Sequence, residues 1–144
     1  MKTDGKNLIS VLFESDRGTE RSGEMPSSEL TEKIIGCAYK VSNTLGCGFL
    51  EKVYENSLVH ELRKAGFSIT QQQKIDVAYD GIVVGFYESD IIVEGRIIIE
   101  VKALRALDVA HKAQCLNYLK ATGIRLGLLI NFGNPKVEVK RVAL

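Results

Sequence analysis

The sequence predicts an α/β chain with one mixed sheet and helices packed against it, in the order α-α-β-β-β-α-β-β. Three observations carry that reading. Apolar residues recur at helical spacing through two segments between about residues 27 and 66. The period then switches to two over three short runs, separated by Asp80-Gly81 and Glu94-Gly95. Finally, a further helical stretch leads into "RLGLLINF", a nearly unbroken apolar run of the kind found in strands covered on both faces.

Residues 1–26 are polar, contain Gly5, Gly18 and Gly23, and show no sustained period. They read as a flexible tail, with a short turn of structure at most at "LISVLF". Residues 27–144 form the domain. Ser27 or Ser28 can cap the first helix, whose apolar set is Leu30, Ile34, Cys37, Ala38, Val41 and Leu45, with Gly46 as its stop. After the Gly46-Cys47-Gly48 break, "FLEKVYENSLVHELRKAG" reads as a second helix with Leu50, Val53, Tyr54, Leu58 and Leu62 inside and Gly66 as terminator.

The three consecutive strands fall at about 74–79, 82–91 and 96–103 and form a meander, with Asp80-Gly81 as a tight turn. Asp108 can cap the third helix, "VAHKAQCLNYLKAT", which Gly123 closes. The strand at 125–131 should lie inside the sheet. "KVEVKRV" alternates and should be an edge.

At 144 residues, 45% apolar and 26% charged, the chain is one ordinary globular domain with enough length for a real core. No run approaches the roughly 18 apolar residues of a membrane span. The six-residue "LISVLF" lacks the cleavage pattern of a secretory signal. Cys37, Cys47 and Cys115 form no CxxC pair, and His60 and His111 are the only histidines, so a zinc site is not expected. A reducing, cytoplasmic setting is. The net charge of +1 argues by itself against a protein that coats nucleic acid by bulk charge. Residues 1–30 carry four basic and six acidic groups, leaving a mildly basic body, net +3, for residues 31–144.

The chemistry concentrates in "GFYESDIIVEGRIIIEVKAL", residues 85–104. Asp90, Glu100 and Lys102 stand among isoleucines and valines where a plain core strand would carry more aliphatics. Phosphodiester hydrolysis needs a hard divalent cation held by converging carboxylates, and a nearby ammonium to orient water or steady the developing charge. Glu100 and Lys102 share a face because the side-chain period of a strand is two. A two-residue turn at Glu94-Gly95 would set Asp90 opposite Ile99, facing away. A three-residue loop, Val93-Glu94-Gly95 with Gly95 left-handed, would pair Asp90 with Ile98 and restore the common face.

Glu-x-Lys alone is not specific: about half an occurrence arises by chance in a chain this long. A second pair, Glu138 and Lys140, lies on the terminal strand with no acidic partner just upstream and reads as a solvated edge. Two further groups bear on the first pair. On a helical wheel Glu51 falls between Leu58 and Leu62, although a first-turn Glu is also favoured by the helix dipole alone. His111, Gln114 and Tyr118 share one face of the third helix, as a solvated shoulder or as the rim of a site.

"GFLEKVY" reads as G-x-x-E-x-x-Y, with Gly48, Glu51 and Tyr54. Together with "SDIIVEGRIIIEVKAL", "AQCLNYLKATG" and "LGLLINFG", it resembles the GxxExxY family of the PD-(D/E)XK nuclease superfamily over about residues 30 to 141. The resemblance implies a restriction-endonuclease-like core and a Mg2+ (or Mn2+)-dependent nuclease, with DNA favoured over RNA. It implies Asp90 and Glu100 as metal ligands, joined by the Val101 carbonyl and by Glu51, and Lys102 as the catalytic lysine. Gln114 and Tyr118 resemble the Gln-x-x-x-Tyr element that lines the nucleic-acid side, with His111 beside them. The Pro that often precedes the Asp is replaced by Ser89, a loss the superfamily tolerates. Two other readings stand beside it: a nuclease-fold module that binds nucleic acid or a protein partner without cutting, and a purely structural domain. No segment marks an interface, which leaves a homodimer open.

Overall fold

The structure, a computed structural model, describes residues 23–144. The element order is the predicted one: α1 (Ser27–Leu45), α2 (Glu51–Lys64), β1 (Ile69–Tyr79), β2 (Ile82–Val93), β3 (Ile97–Lys102), α3 (Val109–Thr122), β4 (Leu126–Asn131) and β5 (Glu138–Ala143). The expected "LISVLF" turn lies outside the described residues.

The five strands are ordered β1-β2-β3-β4-β5, antiparallel except for the parallel pair β3–β4. β4 is internal and buried at all six positions, and β5 is the edge. A parallel pair needs a crossover, and α3 supplies it. Helices cover both faces. Ile91, Val93, Ile97, Ile99 and Val101 belong to the cluster built on α1 and α2, whereas Ile92 and Ile98 pack with Cys115, Tyr118 and Leu119 of α3. α3 can approach β4 closely because Gly127 has no side chain: a Cβ there would stand 2.7 Å from Cys115 Sγ.

Three details differ from the sequence reading. Neither Ser27 nor Ser28 caps α1 through its side chain; Pro26 is the N-cap residue, and the Ser27 hydroxyl instead accepts from Arg96 at 3.0 Å. Arg96 also donates to the Met25 carbonyl, tying the start of α1 to the β2–β3 loop. In α2, Leu50 and Val53 are exposed, while Glu55 and Val59 join Tyr54, Leu58 and Leu62 inside. The helix begins only at Glu51, so its first turn projects past the core. Finally, β1 begins at Ile69, five residues earlier than the alternation starting at Lys74 suggests.

Candidate active site

β2 and β3 run in register at Val93↔Ile97, Ile92↔Ile98 and Ile91↔Ile99, so the same register carried one step further sets Asp90 opposite Glu100. The connecting loop has three residues, as the common face requires. It covers Glu94, Gly95 and Arg96 rather than Val93, Glu94 and Gly95, with Glu94 and Gly95 both left-handed. That one-step displacement changes the partner of Asp90 from the predicted Ile98 to Glu100. The common face survives because the parity is the same.

At this point side chains take over from the ladder. The Asp90 N–H donates to Glu100 Oε2 at 3.1 Å, and the Val101 N–H donates to Asp90 Oδ2 at 2.8 Å. Each carboxylate therefore anchors the opposite strand. By the two-residue period Glu100 and Lys102 lie in step with Ile98, on the α3 side of β3. Lys102 is half-buried at the strand end.

Burial dominates the electrostatics. Glu100 is 5% exposed. Its carboxyl is pushed well above the usual range, first by burial and then by the charge of Asp90, with the Asp90 N–H and Lys102 acting in opposition. Asp90 is raised to about 6, chiefly by burial; the Val101 N–H opposes the shift, and the charges of Glu55 and Glu51 add to it. No salt bridge reaches either carboxylate among the described residues. Two desolvated carboxyl groups placed side by side without a basic partner are a donor set suited to a hard divalent cation, which oxygen ligands prefer to hold. Asp90 and Glu100 fit such an ion, with the Val101 peptide directly beside them.

Other predicted residues are distributed less tightly. Glu51 is exposed at the first position of α2. Among the described residues no group of three or more His, Cys, Asp and Glu side chains converges closely enough to hold a metal ion. Tyr118 is buried, and its hydroxyl is raised first by burial and then by the charges of Glu100 and Asp90. Gln114 is half-buried one helical turn before it. His111 is engaged in a capping box: its Nδ1 accepts from the Asp108 N–H at 3.0 Å, and Asp108 accepts from Ala110 N–H at 2.7 Å.

Tyr54, the last residue of the G-x-x-E-x-x-Y stretch, is structural. Its hydroxyl donates to the Gly46 carbonyl at 2.6 Å and accepts from the Phe49 N–H at 3.2 Å, while its ring stacks on Phe132 at 4.9 Å. The loop before α2 is thereby fixed, and with it the position of Glu51.

Three residues escape the sequence reading. Glu55, one helical turn after Glu51, is 2% exposed and accepts from Lys52, Gln71 and Gln72. Its proximity in sequence to the buried Tyr54 was the available signal. Gln72 adopts φ 55°, and its amide donates to Glu55 Oε2 at 2.8 Å and Asp90 Oδ1 at 3.3 Å, joining α2 to β2. A left-handed Gln inside a strand is strained, and nothing in three consecutive glutamines signals it. Asn131 is fully buried, accepting from the Leu104 N–H and donating to the Leu104 carbonyl, both at 2.9 Å. With the Phe132 N–H bonded to the Lys102 carbonyl at 2.8 Å, this clamp fixes the chain just after Lys102.

The sequence profile of the PD-(D/E)XK nuclease superfamily matches residues 28–142. The chain belongs to this superfamily. Two solved structures share its fold. SSO0001 is 18% identical, with a TM-score of 0.51 over 99% of this chain and 69% of that one. An alkaline exonuclease from Laribacter hongkongensis is 13% identical, with a TM-score of 0.50 over 97% of this chain and 78% of that one. No curated protein matches. The fold is that of a restriction-endonuclease-like core. No described helix is long and apolar enough to cross a membrane.

Proposed function

We propose that this superfamily member is a Mg2+- or Mn2+-dependent nuclease that hydrolyses phosphodiester bonds, with DNA favoured over RNA. The observation that carries the reading is the reciprocal pairing of Asp90 and Glu100, two desolvated carboxylates without a basic partner, next to a strand-mate lysine.

Asp90 and Glu100 would hold the divalent ion, assisted by the Val101 carbonyl and by Glu51 from the start of α2. When bound, that ion supplies charge neutralisation at the phosphate and a water of lowered pKa. Lys102 presents its ammonium on the Glu100 face, where it orients the attacking water or donates to a non-bridging phosphate oxygen. Tyr118 and Gln114 line the α3 wall, and His111 lies at its outer end, in position to contact the nucleic acid. Glu55 and Gln72 act as positioning residues, because their hydrogen bonds hold Asp90 from the α2 side.

A second reading, a nuclease-fold module that binds without cutting, is favoured by the Gln72 amide. It satisfies Glu55 and Asp90 together with no cation needed. One experiment separates the two. Purified wild type, Lys102→Ala and Lys140→Ala are offered single-stranded and duplex DNA and RNA, with Mg2+ and with Mn2+. The nuclease reading expects divalent-dependent cleavage by wild type and Lys140→Ala, and none by Lys102→Ala. Binding without cleavage in all three proteins would favour the module.

A further inference from the structure

Among the described residues one buried side-chain polar atom has no hydrogen-bond partner, the Ser89 hydroxyl oxygen. Ser89 itself is fully buried. Nearly all buried hydroxyls in folded proteins are paired, so an orphan of this kind points to a ligand. Its place in the sheet says which.

β1 and β2 keep one register from Val77↔Gly85 to Gln73↔Ser89. Within that stretch Ile75 packs in the α3 cluster, and its partner Tyr87 touches Tyr118 of α3 edge-on at 5.0 Å. Ser89 follows Tyr87 by two residues, so its side chain takes the same α3 face. Ile91, two residues further on, belongs to the opposite cluster on α1 and α2. The alternation therefore breaks at Asp90, at the step where Gln72 is left-handed. Glu100 lies on the α3 side too, and the N–H that it accepts at 3.1 Å belongs to the peptide joining Ser89 to Asp90. The orphan hydroxyl and the Glu100 carboxylate thus flank a single peptide group on one face of the sheet.

The remaining hydrogen bonds leave that same side open. Both Asp90 oxygens have donors, the Val101 N–H at 2.8 Å and the Gln72 amide at 3.3 Å. Glu100 accepts through Oε2, and no described residue donates to its Oε1. A hard divalent cation takes carboxylate oxygens first and keeps several of its waters. Those waters need acceptors for their protons, and a serine oxygen offers two lone pairs.

We infer that Ser89 is a positioning residue of the cation site: its hydroxyl accepts a hydrogen bond from a water carried by the divalent ion that Asp90 and Glu100 hold. The role rests on the metal-dependent reading of that acidic pair and adds a residue that orients the hydrated ion on the α3 side. Outer partners of this kind change ion affinity by roughly ten- to a hundredfold.

Calorimetric titration of Mn2+ into the metal-free full chain, together with thermal melts without metal, tests this. Ser89→Ala should bind Mn2+ about tenfold more weakly than wild type. Its metal-free thermal midpoint should equal or exceed that of wild type, because the hydroxyl removed has no protein partner to lose. Ser89→Thr and Ser89→Val have the same shape and differ in the hydroxyl, so the Thr variant should bind the ion more tightly than the Val variant whatever the added methyl does to the fold. Unchanged Mn2+ affinity in Ser89→Ala, or equal affinities in the Thr and Val variants, would remove Ser89 from the site while leaving the acidic pair as a metal centre. A lower metal-free midpoint in Ser89→Ala would also overturn the role, since it would show the hydroxyl bonded within the protein. A wild type that takes up no Mn2+ would overturn the cation site itself, and the role of Ser89 with it.

Discussion

Two strands of this protein carry the same Glu-x-Lys pattern and have opposite characters. On β3, Glu100 is nearly solvent-free, has Asp90 opposite it and exchanges hydrogen bonds with the neighbouring strand. On the edge strand β5, the Glu138 side chain is 36% exposed and Lys140 58%, and they meet each other at 3.9 Å. Water screens that second pair, so its net interaction is small. Spacing gives both pairs a shared face. Burial and a second carboxylate set only the first one apart.

The largest expected contrast is catalytic. Glu100→Gln and Asp90→Asn should lower divalent-dependent cleavage by about a thousandfold or more, as loss of a metal-holding group does in such reactions. Glu138→Gln should leave the rate within about twofold, the scale expected of an exposed pair. Equal losses in the β3 and β5 variants, measured under single-turnover conditions, would remove the distinction.

Next in size is stabilisation by the ion. Millimolar Mg2+ or Mn2+ should raise the thermal midpoint of the wild type by several degrees, because an ion that binds only the folded state adds its binding free energy to stability. Glu100→Gln should abolish the rise and Glu138→Gln should preserve it. An unmoved wild-type midpoint would contradict the site.

Asn131 connects the two regions, since its amide clamps Leu104 after β3 and also reaches Glu138 at 3.5 Å on β5. Asn131→Ala should destabilise the fold by about 1–3 kcal/mol, the range for leaving buried backbone groups unpaired. It should also reduce cleavage by displacing Lys102, while Glu138→Gln, which removes the ion pair with Lys140 and keeps an oxygen to accept the long contact, does neither. Denaturant unfolding with a parallel rate measurement checks both halves.

The smallest effect is on pH dependence. Asp90 has its carboxyl raised from 3.8 to about 6, so the folded state holds that proton more tightly than the unfolded chain. Its contribution therefore favours folding at low pH and is lost as pH rises from about 4 through about 6. Metal-free Asp90→Asn, which cannot ionise, should be more stable than wild type above that window by about 1 kcal/mol, allowing for partial solvent screening. Urea titrations at pH 4 and pH 7.5 measure this; a difference that does not grow with pH would contradict the assignment.

Much of this was legible because the signals were local. Asp108 and Gly123 bracket α3 as predicted, and Asp80-Gly81 turns with both residues left-handed. The placement of 125–131 inside the sheet followed from its unbroken apolar run. The Asp90–Glu100 pair required only the parity of a loop, and a three-residue loop gives that parity even when displaced by one residue. What stayed hidden depends on tertiary placement. Gln71–Gln73 shows no alternation, so the first half of β1 and the left-handed Gln72 left no trace. Glu55 rather than Glu51 lies buried because α2 starts where the core ends, and a helical wheel carries no information about where a helix meets its neighbours.

Direct titration of Mn2+ into metal-free protein, followed by the loss of the free-ion electron paramagnetic resonance signal, addresses the central claim without relying on any substrate. Wild type and Glu138→Gln should each take up a single tightly held ion, while Asp90→Asn and Glu100→Gln should leave the signal of free Mn2+ undiminished. Uptake by Glu100→Gln equal to that of wild type would contradict the claim that the buried pair on β2 and β3 is the metal-dependent centre.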